Sequence, residues 1–160
     1  MKVEEGKFYF IKQEFFEKVK DELLLKNKED ENKRPCYYCF KDLKNSDILW
    51  FIPISSKVEK YSKIYNYKMQ KYKIVDNIVF GYVEGEKRAF LIQNMFPTTE
   101  EYIIEAYIKQ NRYVNVNKEL KKEIERKANK ILKLVEKGYK GLVFSDILKI
   151  KEKLKSQNIN

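Results

Sequence analysis

At 160 residues and 43% hydrophobic content, the chain has the size and composition of one domain, 1–160, with its own core. No run approaches the roughly 18 uninterrupted apolar residues of a membrane span. The start MKVEEGKFYF has no apolar segment before a small-residue cleavage site, so the default compartment is cytoplasm. The formal net charge is +10 and histidine is absent, which excludes imidazole as ligand, acid or base.

Taken in chain order, KFYFI at 7–11 reads as a first strand. Residues 13–26 place Phe15, Phe16, Val19, Leu23 and Leu24 on one stripe at period 3.6, which predicts a helix. A charged loop is expected at 27–33. Strands are expected at 36–40 and 48–54, joined by a polar turn through 42–47. Residues 57–73 are polar, basic and Tyr-rich, without a clear period. Residues 78–83 and 88–93 form a second hairpin whose turn uses Gly85 for positive φ. The run PTTEE at 97–101 predicts a helix start, with Thr98 as N-cap and Glu101 closing a capping box. Leu120, Ile124, Ala128, Ile131 and Val135 predict a long helix ending at Gly138, and Ser145 is expected to cap a last one. The fold class is α+β: an antiparallel sheet interrupted and flanked by helices, with a helical C-terminal third.

The charge is unevenly spread. Residues 1–56 balance at eleven basic and eleven acidic side chains, whereas 57–73 hold six Lys against Glu59 alone. Residues 118–160 hold thirteen basic and six acidic side chains. Two basic blocks suggest a face for a polyanion. Only four of the 34 basic residues are Arg, and a Lys-, Asn-, Ile- and Tyr-rich composition is also what an A/T-rich genome produces. Cys36 and Cys39 form a CxxC inside a run of strand formers, with no second pair and no His. Two small buried residues fit better there than a zinc site or a redox pair.

The stretch WFIPISSKVEKYSKIY at 50–65 carries the chemistry. An apolar strand is followed at once by Ser55, Ser56 and Lys57. Metal-free RNA cleavage needs a base for the 2′-OH, an acid for the leaving 5′ oxygen, and donors or a cation for the phosphorane oxygens. Two hydroxyls and an ammonium supply the last. A lysine at its ordinary pKa of about 10.4 is a poor base, so Lys57 is expected as charge stabiliser or proton donor. A serine pair after a strand equally serves as turn-capping hydroxyls. Arg34 precedes a strand, where its fork could take a phosphate or pair with Asp30 or Glu31. Tyr61 and its neighbouring tyrosines interleave with Lys60 and Lys63, as suits unstacked bases on a charged track, or as a solvated segment packing its rings inward. No phosphate-binding loop, dinucleotide fingerprint or metal cluster is present, so no cofactor and no metal are expected.

Together KFYFI, RPCYYCF, WFIPISSKVEKY, IVFGYV and AFLIQNMFPTTEEYI, with the Lys-rich helical tail, resemble the ToxN/AbiQ class and its CptN branch, toxins of type III toxin–antitoxin systems. The match runs from Lys7 to about Leu154. It implies a compact, strongly bent antiparallel sheet similar to the MazF/Kid toxins. It implies a metal-independent endoribonuclease that cuts A-rich RNA and its own RNA antitoxin precursor. The processed repeats fold as pseudoknots and inhibit it, in a toxin–RNA hetero-oligomer, and several relatives abort phage infection. The family's hydroxyl pair falls on Ser55 and Ser56, and its lysine on Lys57 or Lys60. An aromatic hydroxyl of the first helix aligns with Phe15, which has none, so Tyr9 or a later Tyr replaces it or the role is absent. On this reading Ser56 and Lys57 are catalytic with Ser55 supporting, and cleavage leaves a 2′,3′-cyclic phosphate. Arg34, Lys60, Lys63 and Tyr61 hold substrate, and Lys121, Lys122 and Lys133 face the RNA antitoxin. Two other classes remain open: a non-catalytic RNA-binding module, and an interaction protein whose lysine excess is compositional.

Overall fold

The computed structural model describes residues 2–21, 23–24, 28–29 and 32–157, with backbone alone at 28, 29, 32 and 33. The first strand, β1 (Phe8–Ile11), leads into helix α1 (Gln13–Val19). Two short strands, β2 (Lys28–Glu29) and β3 (Asn32–Lys33), pair with each other where a loop was expected. They precede β4 (Cys36–Lys41) and β5 (Leu49–Ser55). Helix α2 (Val58–Tyr72) is followed by the hairpin β6 (Val79–Val83) and β7 (Glu86–Phe90). Four short strands come next: β8 (Phe96–Thr98), β9 (Ile103–Ala106), β10 (Ile108–Lys109) and β11 (Arg112–Tyr113). Helices α3 (Lys118–Glu136) and α4 (Ile147–Gln157) complete the C-terminal third.

Six strands run in the order β6-β7-β5-β4-β1-β9, and β8 joins the sheet by pairing with β5. Every pairing is antiparallel. Strand β5 is the pivot. Its residues Leu49–Phe51 pair with β8, while Ile54 and Ser55 pair with β7. Pro53 sits where the partner changes: it has no N–H to give a neighbour, and its carbonyl accepts from Leu91 N–H at 2.9 Å. The sheet is antiparallel and flanked by helices, as expected.

The alternation of side chains along β6 and β7 divides the core in two. Val79, Val83 and Phe90 join the main core, which α3 and α4 close with Leu120, Ile124, Ile131, Ile147, Ile150 and Leu154. Ala89 faces the other way, into a smaller cluster with Tyr61, Val75, Ile78 and Leu91 beneath α2. Gly81 lies on the main-core side of β6, and a Cβ there would sit 2.2, 2.7 and 3.0 Å from Cδ2, Cδ1 and Cγ of Leu120. Three branch atoms stand in the way rather than one flexible tip. Gly81→Ala should therefore lower stability by about 1–3 kcal/mol, read as a lower denaturation midpoint at unchanged m. An unchanged midpoint would mean that Leu120 swings aside freely.

Several local expectations are corrected. Helix α1 stops at Val19 rather than continuing to 26, because Lys20 turns left-handed (φ 51) with its N–H on Phe16 O. Tertiary bonds hold that end: Lys153 Nζ donates to Val19 O at 3.2 Å, and Asp21 accepts from Ser145 Oγ and Asp146 N, each at 3.3 Å. Leu23 is exposed, Leu24 is buried, and residues 22, 25 and 26 lie outside the described residues. Ser145, committed to Asp21, does not cap α4; Asp146 does, its Oδ1 accepting Lys149 N–H at 3.2 Å. The expected helix start at 97–101 is instead β8, one 3-10 turn (Glu100–Tyr102) and β9. Thr98 is fully buried opposite Leu49, and Phe96 stacks on Phe51 at 6.2 Å, so pairing with β5 overrides the capping box. The second strand of the second hairpin ends at Phe90, and Ile92–Asn94 form a 3-10 turn. Gly138 does end α3, at φ 97.

Cys36 and Cys39 are free and buried. Burial pushes the Cys36 thiol up to about 12, against the pull of Arg34, and raises Cys39 well above its ordinary value. Neither is a thiolate at neutral pH, so both behave as small apolar core residues.

Candidate active site

Seven consecutive buried residues make β5, and they carry the chain to the surface at its last position. Ser55 is 5% exposed, and its Oγ accepts the backbone N–H of Lys57 at 3.1 Å. That bond draws the chain into a bend. Ser56 and Lys57 are both exposed in this bend, and Ser56 O accepts Val58 N–H at 2.8 Å. The two serines therefore differ: Ser55 shapes the strand end, and Ser56 presents a hydroxyl to solvent.

The segment 57–73, without a clear period in the sequence, is α2. Lys57 is its N-cap residue and makes no side-chain capping bond. The first-turn N–H groups of a helix have no intrahelical acceptor, and the positive end of its dipole lies there. In α2 Val58 N–H is taken by Ser56 O, and the N–H groups of Glu59 and Lys60 follow directly on the exposed Ser56 and Lys57, so a hydroxyl, an ammonium and the helix N-terminus are neighbours along the chain. Such a constellation suits a phosphate. Lys60 and Lys63 are exposed on α2, and with Tyr67 and Lys71 they lie on one flank at helical spacing. Tyr61 is corrected: at 8% exposure its ring packs with Val75, Ile78, Ala89 and Leu91, and has no open face for a base. Lys60 Nζ lies 5.3 Å from that ring's centre. The exposed rings of α2 are Tyr67 and Tyr72, with Lys71 Nζ 6.0 and 5.2 Å from their centroids.

Two arginines flank the end of β5. Pairing of Cys36 with Pro53 sets Arg34, two residues before Cys36, beside Ser55 on the β4 side. Arg34 is half-exposed, and Asp30 and Glu31, its expected acidic partners, lie outside the described residues. On the other side, pairing of Ser55 with Ala89 sets Arg88 next to Ser56. Nothing in the local sequence marks Arg88; only the strand register does. Tyr9 does not supply a hydroxyl here. It is fully buried in β1, with its OH accepting Glu4 N–H at 2.7 Å. Phe15 is likewise fully buried, against Phe16, Phe96 and Tyr102.

The three α3 lysines expected to face the antitoxin, Lys121, Lys122 and Lys133, do not form one cluster. Lys121 lays its methylenes over Gly6, whose Cβ position is 3.1 Å from Lys121 Cε. Lys122 is exposed beside it. Lys133 lies about 18 Å away along the helix and lines a groove of about 380 Å³ with Asp42, Lys44, Glu125 and Glu136. The basic blocks meet elsewhere, in a cleft of about 510 Å³ where Lys68 and Tyr72 of α2 approach Lys130 of α3. Lys68 Nζ donates to Gln93 Oε1 at 3.2 Å and Asn77 Oδ1 at 3.4 Å, and burial lowers its pKa. Among the described residues no group of three or more Cys, Asp or Glu side chains could hold a metal ion, and no helix is long and apolar enough to cross a membrane.

No protein-family model matches the sequence, and no curated protein matches it. Solved structures do. AbiQ, a lactococcal anti-phage endoribonuclease of a type III toxin–antitoxin system, superposes with a TM-score of 0.72 at 16% identity, over 96% of this chain and 98% of its own. A structure from a bacterial type III system, in which a non-coding RNA pseudoknot selectively inhibits the toxin, has a TM-score of 0.68 at 20% identity, over 98% and 100%. A third, from a bacterial antiviral system regulated by a processed non-coding RNA, has 0.68 at 14% identity, over 93% and 97%. The chain thus has the fold of the ToxN/AbiQ class over nearly its whole length. The likeness does not separate the branches of that class.

Proposed function

We propose that this chain, as one domain over 1–160, is the endoribonuclease toxin of a type III toxin–antitoxin system. The observation that carries the reading is the 56–57 bend: an exposed serine and lysine at the start of α2, on a fold shared with an anti-phage endoribonuclease. The substrate's own 2′-OH loses its proton to solvent water as its oxygen attacks the adjacent phosphorus in line with the departing 5′ oxygen. The O2′–P bond forms, the P–O5′ bond breaks, and a 2′,3′-cyclic phosphate and a 5′-hydroxyl remain. Ser56 Oγ–H donates to a non-bridging oxygen, and Lys57 neutralises the phosphorane or protonates the leaving oxygen. Ser55 holds the bend, and Arg34, Lys60 and Lys63 take flanking phosphates. DNA lacks the attacking hydroxyl and is not a substrate.

The inhibitor is an RNA antitoxin that the toxin cuts from a repeat precursor and that folds as a pseudoknot. This reading is supported by one similar structure whose toxin is inhibited by a non-coding RNA pseudoknot and another from a system regulated by a processed non-coding RNA. The targets are A-rich RNAs of the cytoplasm, and the assembly is a toxin–RNA hetero-oligomer. Lys121 and Lys122 at the start of α3, with Lys133 further along, contact the antitoxin.

The decisive experiment is cleavage of labelled RNA under single-turnover conditions with excess EDTA, followed by analysis of the 3′ ends. Undiminished cleavage leaving 2′,3′-cyclic phosphate is expected. Activity lost with EDTA and restored by Mg²⁺ would replace this mechanism with a metal-assisted one. Salt-dependent RNA binding without any cleavage would leave a non-catalytic RNA-binding module.

A further inference from the structure

We infer that Arg88 grips the scissile phosphate beside Ser56, and that Glu86 occupies the arginine until RNA displaces it; this rests on the ribonuclease reading above. The register carries the placement. Ile54 pairs with Phe90 and Ser55 with Ala89, the last pair of the ladder, so Ser56 leaves the strand next to the position of Arg88. Neighbouring strands lie about 4.8 Å apart, well within the reach of an arginine. Side chains alternate along a strand, and Phe90 faces the main core while Ala89 faces the α2 cluster. Arg88 therefore shares the face of Phe90 and of its partner Ile54.

The position is rigid. Strand β7 is paired on both sides, with β6 through Gly81–Arg88 and with β5 through Ala89–Ser55. Gly81, directly across from Arg88, has its core side filled by Leu120 of α3. Arg34, on the other flank, lies outside its strand and has no such frame. The Arg88 side chain is 26% exposed. Nη2 pairs with Glu86 Oε2, and Nη1 donates to the carbonyl of Lys87 at 3.1 Å. Glu86, two residues back on the same strand and face, is itself 68% exposed. An exposed pair of this kind contributes little to stability. What it does is hold the guanidinium in one orientation with a carboxylate in the place of an anion. A phosphate offers the same forked geometry with more charge, and bidentate contacts of this kind are among the strong ones. RNA entering the bend exchanges Glu86 for a phosphate, and Glu86 turns to solvent.

The test compares Arg88→Gln, Arg88→Lys and Glu86→Gln with the unmutated chain in single-turnover cleavage of a short RNA across RNA and salt concentrations. Each variant's thermal melt is recorded alongside. Arg88→Gln should lose about 10² in maximal rate at an unchanged melting temperature, and Arg88→Lys should recover only a small part, since a point charge cannot fork. Glu86→Gln should lower the half-saturating RNA concentration several-fold without lowering the maximal rate. Arg88→Gln should also reduce the salt slope of RNA binding by roughly 0.7–0.9. A folded Arg88→Gln chain that cuts at the unmutated rate overturns the assignment, and an unchanged half-saturation in Glu86→Gln overturns the occlusion. If the unmutated chain binds RNA without cutting it, the ribonuclease reading fails. Arg88 is then judged by the salt slope alone, and an unchanged slope removes it.

Discussion

Ser56→Ala should reduce RNA cleavage by about 10²–10³ while the protein stays folded, which is the usual effect of losing one donor aimed at a developing negative charge. The fold is spared because Ser56 contributes to it through its backbone. Its carbonyl accepts Val58 N–H, and its side chain is exposed. Ser55→Ala should behave differently. It removes the Oγ that accepts Lys57 N–H, so the bend loosens, and about 1 kcal/mol of stability is lost with it. Rate and melting temperature then fall together for Ser55, and rate alone for Ser56. Single-turnover cleavage of a short RNA, paired with a thermal melt, reads both. A folded Ser56→Ala protein that cuts RNA as fast as its parent would remove Ser56 from the mechanism.

The largest stability loss should follow Asp42→Ala. Asp42, in the β4–β5 turn, is buried and accepts four hydrogen bonds. Trp50 Nε1 and Lys151 Nζ donate to Oδ1 at 2.9 Å each, and the backbone N–H groups of Lys44 and Asn45 donate to Oδ2 at 3.1 Å. Lys151 belongs to α4, so this one carboxylate joins the turn to the last helix. Its side-chain exposure is 5%, against 9% for Lys151. Removing it strands a buried ammonium, which typically costs about 3–5 kcal/mol and should lower the melting temperature by on the order of 10 °C. Replacing both partners, as Asp42→Asn with Lys151→Met, should recover part of that loss, because no uncompensated charge remains.

The same pair sets a pH dependence. Burial opposes ionisation of Asp42, but the bonds from Lys151 and Trp50, the Lys151 charge and the Lys44 N–H outweigh it, so its pKa is lowered. A carboxyl that is more acidic folded than unfolded stabilises the fold above its unfolded pKa of about 3.9. That contribution disappears as pH falls through the lower folded value. Denaturation midpoints of parent and Asp42→Asn should thus converge in acid and separate toward neutrality. A gap that stays constant with pH would mean that the carboxylate charge contributes nothing.

Much of this architecture is legible along the chain. β1, the β4–β5 hairpin, the turn of the β6–β7 hairpin at Gly85 and the stripe of α3 are local patterns: alternation, turn residues and a 3.6 period each report on a few neighbours. The serine–lysine bend was legible for the same reason, since an apolar strand ends where its polar residues begin. Helix α2 was not, because its inward stripe of Tyr61, Ile64, Tyr65 and Met69 holds a single aliphatic residue among aromatic and long polar neighbours. Packing in the second core decided its conformation and buried Tyr61. Distant partners decided where local signals misled. The capping box at Thr98–Glu101 lost to pairing with β5, and α1 stopped at Val19 under bonds from α4. Arg88 depended on the register of β7 against β5, a choice that shifts every side chain to the other face when it slips by one residue. No run of neighbouring letters encodes that choice, because it is settled by apolar residues more than thirty positions apart meeting across the sheet.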